Sequence, residues 1–199
     1  MIKLYHAPRT RSFRIVWLLE ELGLRYEVET MTFVPPQTAF TQASPFGKFP
    51  AIEDGELTMF ESGAILEYVI ERYGNGRLAP APGSALRGPY LQWLHFAEAT
   101  AFPPIGEMVR HTIFKPESER IPAVVADARG RAQVTLGVPE KALGDKDYMI
   151  GDFSGADIMM GFTLVAAKLL GVLDDRFPNL QAYLARLEAR PAFQKAAAT

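Results

Sequence analysis

Apolar residues recur along this chain with two periods, and the alternating one is confined to the first seventy or so residues. Ile2–Tyr5 is a short apolar run that reads as a buried strand. Ile15, Leu18, Leu19 and Leu22 then fall at helical spacing, with Glu20 and Glu21 to the outside and Gly23 placed just past the helix end. From Tyr26 to Met31 the pattern alternates, Tyr26 and Val28 facing one way and Glu27 and Glu29 the other, as in a half-buried strand. A looser stretch carrying Pro35-Pro36 follows. Ala51-Ile52-Glu53 and Leu57-Thr58-Met59 flank Asp54-Gly55, a strong hairpin signal. Ser62 opens a further helical pattern through Ile65, Leu66, Val69 and Tyr73.

Strand, helix and strand at this spacing imply a right-handed parallel crossover. The order β-α-β, a short helical or irregular segment, then β-β-α describes a small α/β sandwich of the thioredoxin type over residues 1–74. Residues 75–84 have linker composition, and residues 85–199 show no strand pattern and read as helices. The predicted class is therefore α/β plus all-α, a thioredoxin-like βαβ-ββα domain followed by an all-helical one. Pro103-Pro104, Pro122 and Pro139 predict kinks or breaks in the helices. Gly144-Asp145-Lys146-Asp147 predicts a turn. Ser154 three residues before Asp157 predicts a capping box, with Phe153 and Ile158 as its apolar staple.

Charge and composition narrow the classes of function. With 21 Lys+Arg against 23 Asp+Glu the formal net charge is −2, which argues against a nucleic-acid binder. The longest uncharged stretch, around Ile158–Ala167, is about half of the roughly 20 residues that a membrane span needs. Met1–Arg9 lacks the apolar core of a signal peptide, so a cytoplasmic location without membrane contact is expected. His6, His95 and His111 show no ligand spacing, and no metal is expected. The chain contains no cysteine, so sulfur chemistry here would need a sulfur that arrives with a ligand.

Several segments, taken in order, resemble the cytosolic glutathione transferase family. Arg14-Ile15-Val16-Trp17-Leu18-Leu19-Glu20-Glu21-Leu22-Gly23-Leu24 is similar to the family's first helix. Ser44-Pro45-Phe46-Gly47-Lys48-Phe49-Pro50-Ala51-Ile52 resembles its NPxGKVPxL segment, with Ser where Asn is usual. Phe60-Glu61-Ser62-Gly63-Ala64-Ile65 resembles its ESxAI helix start. The Ser154–Asp157 box and the tail from Phe177-Pro178 to Arg190-Pro191 are similar to features of its helical domain. Each motif alone is weak; four in the right order are specific.

The resemblance implies a first domain that grips glutathione, a co-substrate rather than a cofactor, and a helical domain that lines the pocket for a small hydrophobic electrophile. It implies a cis Phe49–Pro50 bond, against a trans proline that merely opens an edge strand, with the Phe49 backbone pairing with the cysteinyl backbone of the tripeptide. It implies that Ser62, at a helix start, holds the γ-glutamyl carboxylate while Glu61 pairs with the ammonium beside it; without the family match, an N-cap and a surface acid would be the plainer reading. Lys48, with Gln37 second, is a candidate for the glycyl carboxylate.

The group that stabilises the thiolate departs from better-known members, which carry Tyr, Ser or Cys at the first strand-to-helix turn. Counting back from Arg14 places the family's hydroxyl near Thr10, or at Arg9 in some classes. Thr10 ranks first, Ser12 second and Tyr5 third, with Arg9 and Arg11 adding positive potential. Thr10 would act as a hydrogen-bond donor; the plainer alternative is a simple N-cap, and the two roles can coexist. Tyr90, Trp93, Phe96, Phe102, His111 and Phe114 are candidates for the electrophile pocket, although aromatics at helical spacing are more often plain core. The implied activity is conjugation by a two-fold homodimer. Its rivals are a glutathione-dependent disulfide reductase and a non-catalytic module of the same fold, like the stringent starvation protein that binds RNA polymerase.

Overall fold

The computed structural model describes residues 1–32 and 38–199. In chain order the elements are β1 (Ile2–His6), α1 (Ser12–Leu22), β2 (Tyr26–Thr30), α2 (Thr38–Ala43), β3 (Ala51–Asp54), β4 (Leu57–Phe60) and α3 (Ser62–Tyr73). Then come α4 (Arg87–Phe96), α5 (Phe102–Val109), α6 (Pro122–Leu143), α7 (Gly155–Leu169), α8 (Pro178–Glu188) and α9 (Pro191–Ala198). The chain divides into two compact units, Met1–Ala81 with Glu188–Thr199, and Pro82–Leu187. The final helix therefore packs with the first unit, which the sequence ranges 1–74 and 85–199 did not anticipate.

In the first unit the sheet order is β2-β1-β3-β4, with β1 parallel to β2 and the other pairs antiparallel. This is the thioredoxin-like arrangement expected from the element order. Alternation along β1 splits its side chains between faces. Tyr5 and Ala7 join Phe40, Ala43, Phe49 and Ala51 in one apolar cluster, while His6 meets Ser12 of α1 on the other face. Helix α1 stops at Gly23, whose φ of 65° lets its amide reach the Glu20 carbonyl and the Leu24 amide reach that of Leu19. The hairpin closes one residue later than Asp54-Gly55 suggested. Asp54 pairs with Leu57 in the ladder, and its carboxylate accepts from the Tyr68 and Tyr73 hydroxyls of α3.

Helix α9 lies against α1. Phe193 packs edge-on against Phe13 and Trp17 at 5.0 and 4.9 Å between ring centres. Glu21 accepts two bonds from Arg190 at 2.6 and 2.8 Å and one from the Trp17 indole at 2.9 Å. Lys195 adds an ion pair to Glu20 at 2.7 Å.

The second unit is helical. Proline acts differently at each expected break. Pro122 opens α6, where a missing amide costs nothing. Pro139 lies inside α6 and does not break it, and the bond to the carbonyl four residues back is lost there. Pro103 and Pro104 follow a π-helical turn at Ala97–Ala101, whose Ala97 carbonyl accepts from Thr163 of α7 at 3.1 Å. The capping box forms at Ser154 and Asp157. Asp157, fully buried, takes Met149 N–H (2.9 Å) and Tyr183 O–H (2.6 Å) on one oxygen. The other oxygen takes the Ser154 amide (2.8 Å) and hydroxyl (2.9 Å). Burial pushes this carboxyl's pKa up, and the four donors pull against it.

Two stability effects are expected. Asp157→Asn puts an amide N–H₂ against two donors and should cost about 3 kcal/mol in urea unfolding. Arg190→Ala, which strips the bidentate partner from Glu21, should cost about 1–2 kcal/mol by the same measurement.

Candidate functional site

The sequence candidates of the first unit gather around the starts of α1 and α3. After β1 the chain turns back on itself, the Thr10 amide reaching the Ala7 carbonyl at 3.3 Å, with Arg9 at a φ of 64°. That turn leaves Arg9 exposed and holds Thr10 half-buried at the entry to α1. Thr10 Oγ1 donates to the Ala7 carbonyl at 2.7 Å and stands 2.7 Å from Ser12 Oγ. Arg11, half-buried, occupies the N-cap position of α1.

Ser12 is fully buried and its hydroxyl is surrounded by partners. Ser12 Oγ accepts the Ala7 amide at 3.3 Å and lies 3.2 Å from the Ala7 carbonyl and 2.9 Å from His6 Nδ1. Tyr5 stands apart from this pair. Its hydroxyl donates to Glu53 at 2.5 Å and lies 3.3 Å from Lys3 Nζ, on the face of the sheet opposite Ser12. Burial and then Glu53 push the Tyr5 phenol's pKa up. Of the three hydroxyl candidates, the structure brings Thr10 and Ser12 together and leaves Tyr5 outside.

The loop before β3 is closed by Ser44, the serine that replaces the usual asparagine. Its hydroxyl donates to the Lys48 carbonyl at 2.7 Å and accepts the Lys48 amide at 3.0 Å. One side chain thus closes the loop Ser44–Lys48 in both directions, while the Lys48 side chain stays exposed. The Phe49–Pro50 peptide is cis, as expected, and both residues are buried ahead of β3. Gln37 lies outside the described residues.

At α3 the N-cap position belongs to Glu61, and Ser62 is the first helical residue. Glu61 is exposed and has φ 75° and ψ 107°, a backbone that non-glycine residues rarely adopt. Ser62 is buried, and its Oγ accepts from Arg14 Nη1 at 3.0 Å. Arg14 is itself fully buried on the first turn of α1. One guanidinium therefore joins two helix starts, where oriented amides and the helix dipoles already favour negative charge.

Two residues here went unassigned in the sequence reading. Arg14 served only as a landmark, although a lone arginine among Ile15, Val16 and Leu18 was a signal of a buried charge. His6 was weighed only as a metal ligand, yet it is a polar residue on the buried face that Leu4 occupies. In the second unit, Tyr90, Trp93, Phe102 and His111 are buried, Phe96 is half-buried, and Phe114 is 52% exposed. Trp93 and Phe96 pack edge-on at 5.3 Å, and Phe102 stacks on Phe162 at 5.7 Å. These aromatics behave mostly as core. Among the described residues, no group of three or more His, Cys, Asp and Glu could hold a metal ion, and no helix is long and apolar enough to cross a membrane.

Comparison with known proteins gives this geometry its context. Residues 1–71 match the family model of the glutathione S-transferase N-terminal domain, and residues 102–191 match that of the C-terminal domain. Glutathione S-transferase 3 of Schizosaccharomyces pombe is 30% identical, over 99% of this chain and 87% of its own length. The theta class glutathione S-transferase of the citrus canker pathogen Xanthomonas axonopodis pv. citri, solved with glutathione bound, superposes with a TM-score of 0.86. It is 27% identical, and the match covers 100% of this chain and 97% of that one. The glutathione transferase URE2P6 of Phanerochaete chrysosporium, in complex with oxidized glutathione, gives a TM-score of 0.87 at 27% identity, over 98% of this chain and 94% of its own. The chain belongs to the glutathione S-transferase family.

Proposed function

We propose that this protein binds glutathione at the starts of α1 and α3 and conjugates its thiolate to small hydrophobic electrophiles. The observation that carries the reading is the half-buried Thr10 hydroxyl at the entry to α1, together with the Arg14–Ser62 bond that joins the first turns of α1 and α3. A free thiol has a pKa of about 8.5, and its thiolate is the nucleophile. A hydrogen bond to a charged group supplies about 1.5–3 kcal/mol, and a helix N-terminus about 0.3–1 kcal/mol more. Together these lower a thiol pKa by roughly one to three units, at about 1.4 kcal/mol per unit. Thr10 is the donor in this scheme and stays protonated, and Arg9 and Arg11 add positive potential. Ser62 and Glu61 take the γ-glutamyl carboxylate and ammonium, the Phe49 backbone takes the cysteinyl segment, and Lys48 approaches the glycyl carboxylate. Glutathione is a co-substrate, and no resident cofactor or metal enters the reaction.

A homodimer is part of the reading. In the first unit the exposed Phe46 and Phe60 rings pack edge-on at 6.2 Å, a contiguous apolar surface that a second copy would cover in this reading. A disulfide reductase is the second reading, favoured by the oxidized glutathione held by the URE2P6 neighbour.

Calorimetry should detect glutathione binding, and heat absent at millimolar ligand would remove the reading. The double variant Glu61→Ala, Ser62→Ala should weaken that binding at least tenfold while the thermal midpoint shows a folded protein, roughly the loss of one charged hydrogen bond. Thr10→Val should lower kcat/KM for a chloronitrobenzene by about 10–100-fold. Faster turnover of a small mixed disulfide than of the chloronitrobenzene would favour the reductase.

A further inference from the structure

The Ser62 hydroxyl has its direction fixed by its neighbour. Ser62 is 3% exposed, and its Oγ lies 3.0 Å from Arg14 Nη1. A guanidinium donates from every nitrogen and accepts nothing, so the serine oxygen is the acceptor in this bond and keeps its own proton. Among the described residues, Ser62 Oγ makes no other hydrogen bond. A buried hydroxyl therefore stands at the first turn of α3 with an acceptor site filled and its O–H unspent. A buried donor without an acceptor is a costly defect, and a ligand that accepts from it removes the cost.

The backbone beside it favours the same kind of ligand. The first amides of a helix have no partner within it, and Glu61 at the N-cap of α3 makes no side-chain capping bond. The helix runs for 12 residues, and its dipole favours an anion at that end. Arg14 exposes none of its own surface, so it acts on anything bound there through Ser62.

We propose that Arg14 is a positioning residue for glutathione: by donating to Ser62 Oγ it reserves the serine proton for the γ-glutamyl α-carboxylate, and so sets a preference for peptides that carry one. This rests on the reading above that Ser62 takes that carboxylate. Guanidinium, hydroxyl and carboxylate then form one line whose direction its two ends dictate, since the first only donates and the last only accepts. Each donor in such a line polarises the next, strengthening the bond by roughly 10–30% per link. No group changes protonation state, and the thiol end of the peptide is not involved.

The test uses the whole protein, calorimetry and two peptides. One is glutathione; the other is 4-aminobutyryl-cysteinylglycine, which differs only in lacking the α-carboxylate. The unaltered protein should bind glutathione at least about tenfold more tightly, the worth of a charged hydrogen bond. Arg14→Gln, whose side-chain oxygen can take the Ser62 proton, should cut that preference about fivefold while affinity for the analogue changes less than about threefold. Arg14→Lys, which only donates, should retain most of the preference. A merely structural role would weaken both peptides together and leave their ratio in place. Full preference in Arg14→Gln, or an equal loss in Arg14→Lys, overturns the proposal. Equal binding of the two peptides by the unaltered protein removes the carboxylate from Ser62 and the Arg14 role with it, and binding of neither removes the glutathione reading itself. Should the variants fail to fold, NMR of the unaltered protein decides. The Arg14 Nη1 protons should shift on adding glutathione and stay in place on adding the analogue, and the same response to both overturns the proposal.

Discussion

The first unit turns on a fully buried guanidinium. Taking a charge out of water costs several kcal/mol unless partners compensate, so a buried arginine is held where its neighbours meet it. Arg14 bonds Ser62 across 48 residues of sequence and draws the first turn of α1 to the first turn of α3. Two helix N-termini and one positive charge then share a small volume, and each favours an anion in the same place. A polar ligand with a carboxylate and a thiolate answers that concentration of positive potential better than a neutral one.

The geometry at those helix starts depends on α1 staying in register, and α1 is braced along its length. Its N-terminal turn is tied by Ser12 to Ala7, and its C-terminus is stopped by Gly23. Its outer side is covered by α9, through Phe193 on Phe13 and Trp17 and through the Glu21–Arg190 pair. An apolar contact fixes distance while a bidentate ion pair fixes angle. Helix α9 thereby supports the helix at whose entry the proposed thiolate donor stands.

What could be read from sequence was local. The period of Ile15, Leu18, Leu19 and Leu22, the Gly23 stop and the Ser154–Asp157 spacing each involve a few neighbouring residues, and the structure carries them. The hairpin at Asp54 was displaced by one position, because the ladder pairing that places the turn comes from the partner strand. Pro139 was expected to kink or break α6, and of the two the break is absent, because the loss of one internal bond does not end a helix of 22 residues. Tyr5 ranked last of the three hydroxyls because it lies too far back and fits the first strand, and strand alternation does send its side chain to the other face. Arg14–Ser62 and Glu21–Arg190, 48 and 169 residues apart, leave no periodic trace. His6 was hidden differently, since a single histidine at the end of an apolar strand has the same pattern whether it is core filler or part of a site.

Threonine at position 10 follows from the turn that presents it. Arg9 sits at φ 64°, a left-handed backbone that costs a non-glycine residue about 1 kcal/mol or more. The turn persists because Ala7 is held on both sides, its amide by Ser12 and its carbonyl by Thr10. A serine would satisfy the same bonds with a freer χ1, whereas the β-branched threonine confines its hydroxyl to fewer rotamers. In the role proposed for Thr10, confinement matters because the donor would leave a carbonyl for a sulfur and return, and every alternative rotamer dilutes the productive one. The added methyl group thus trades side-chain freedom for aim, while the helix start behind it supplies potential that no side-chain motion can remove.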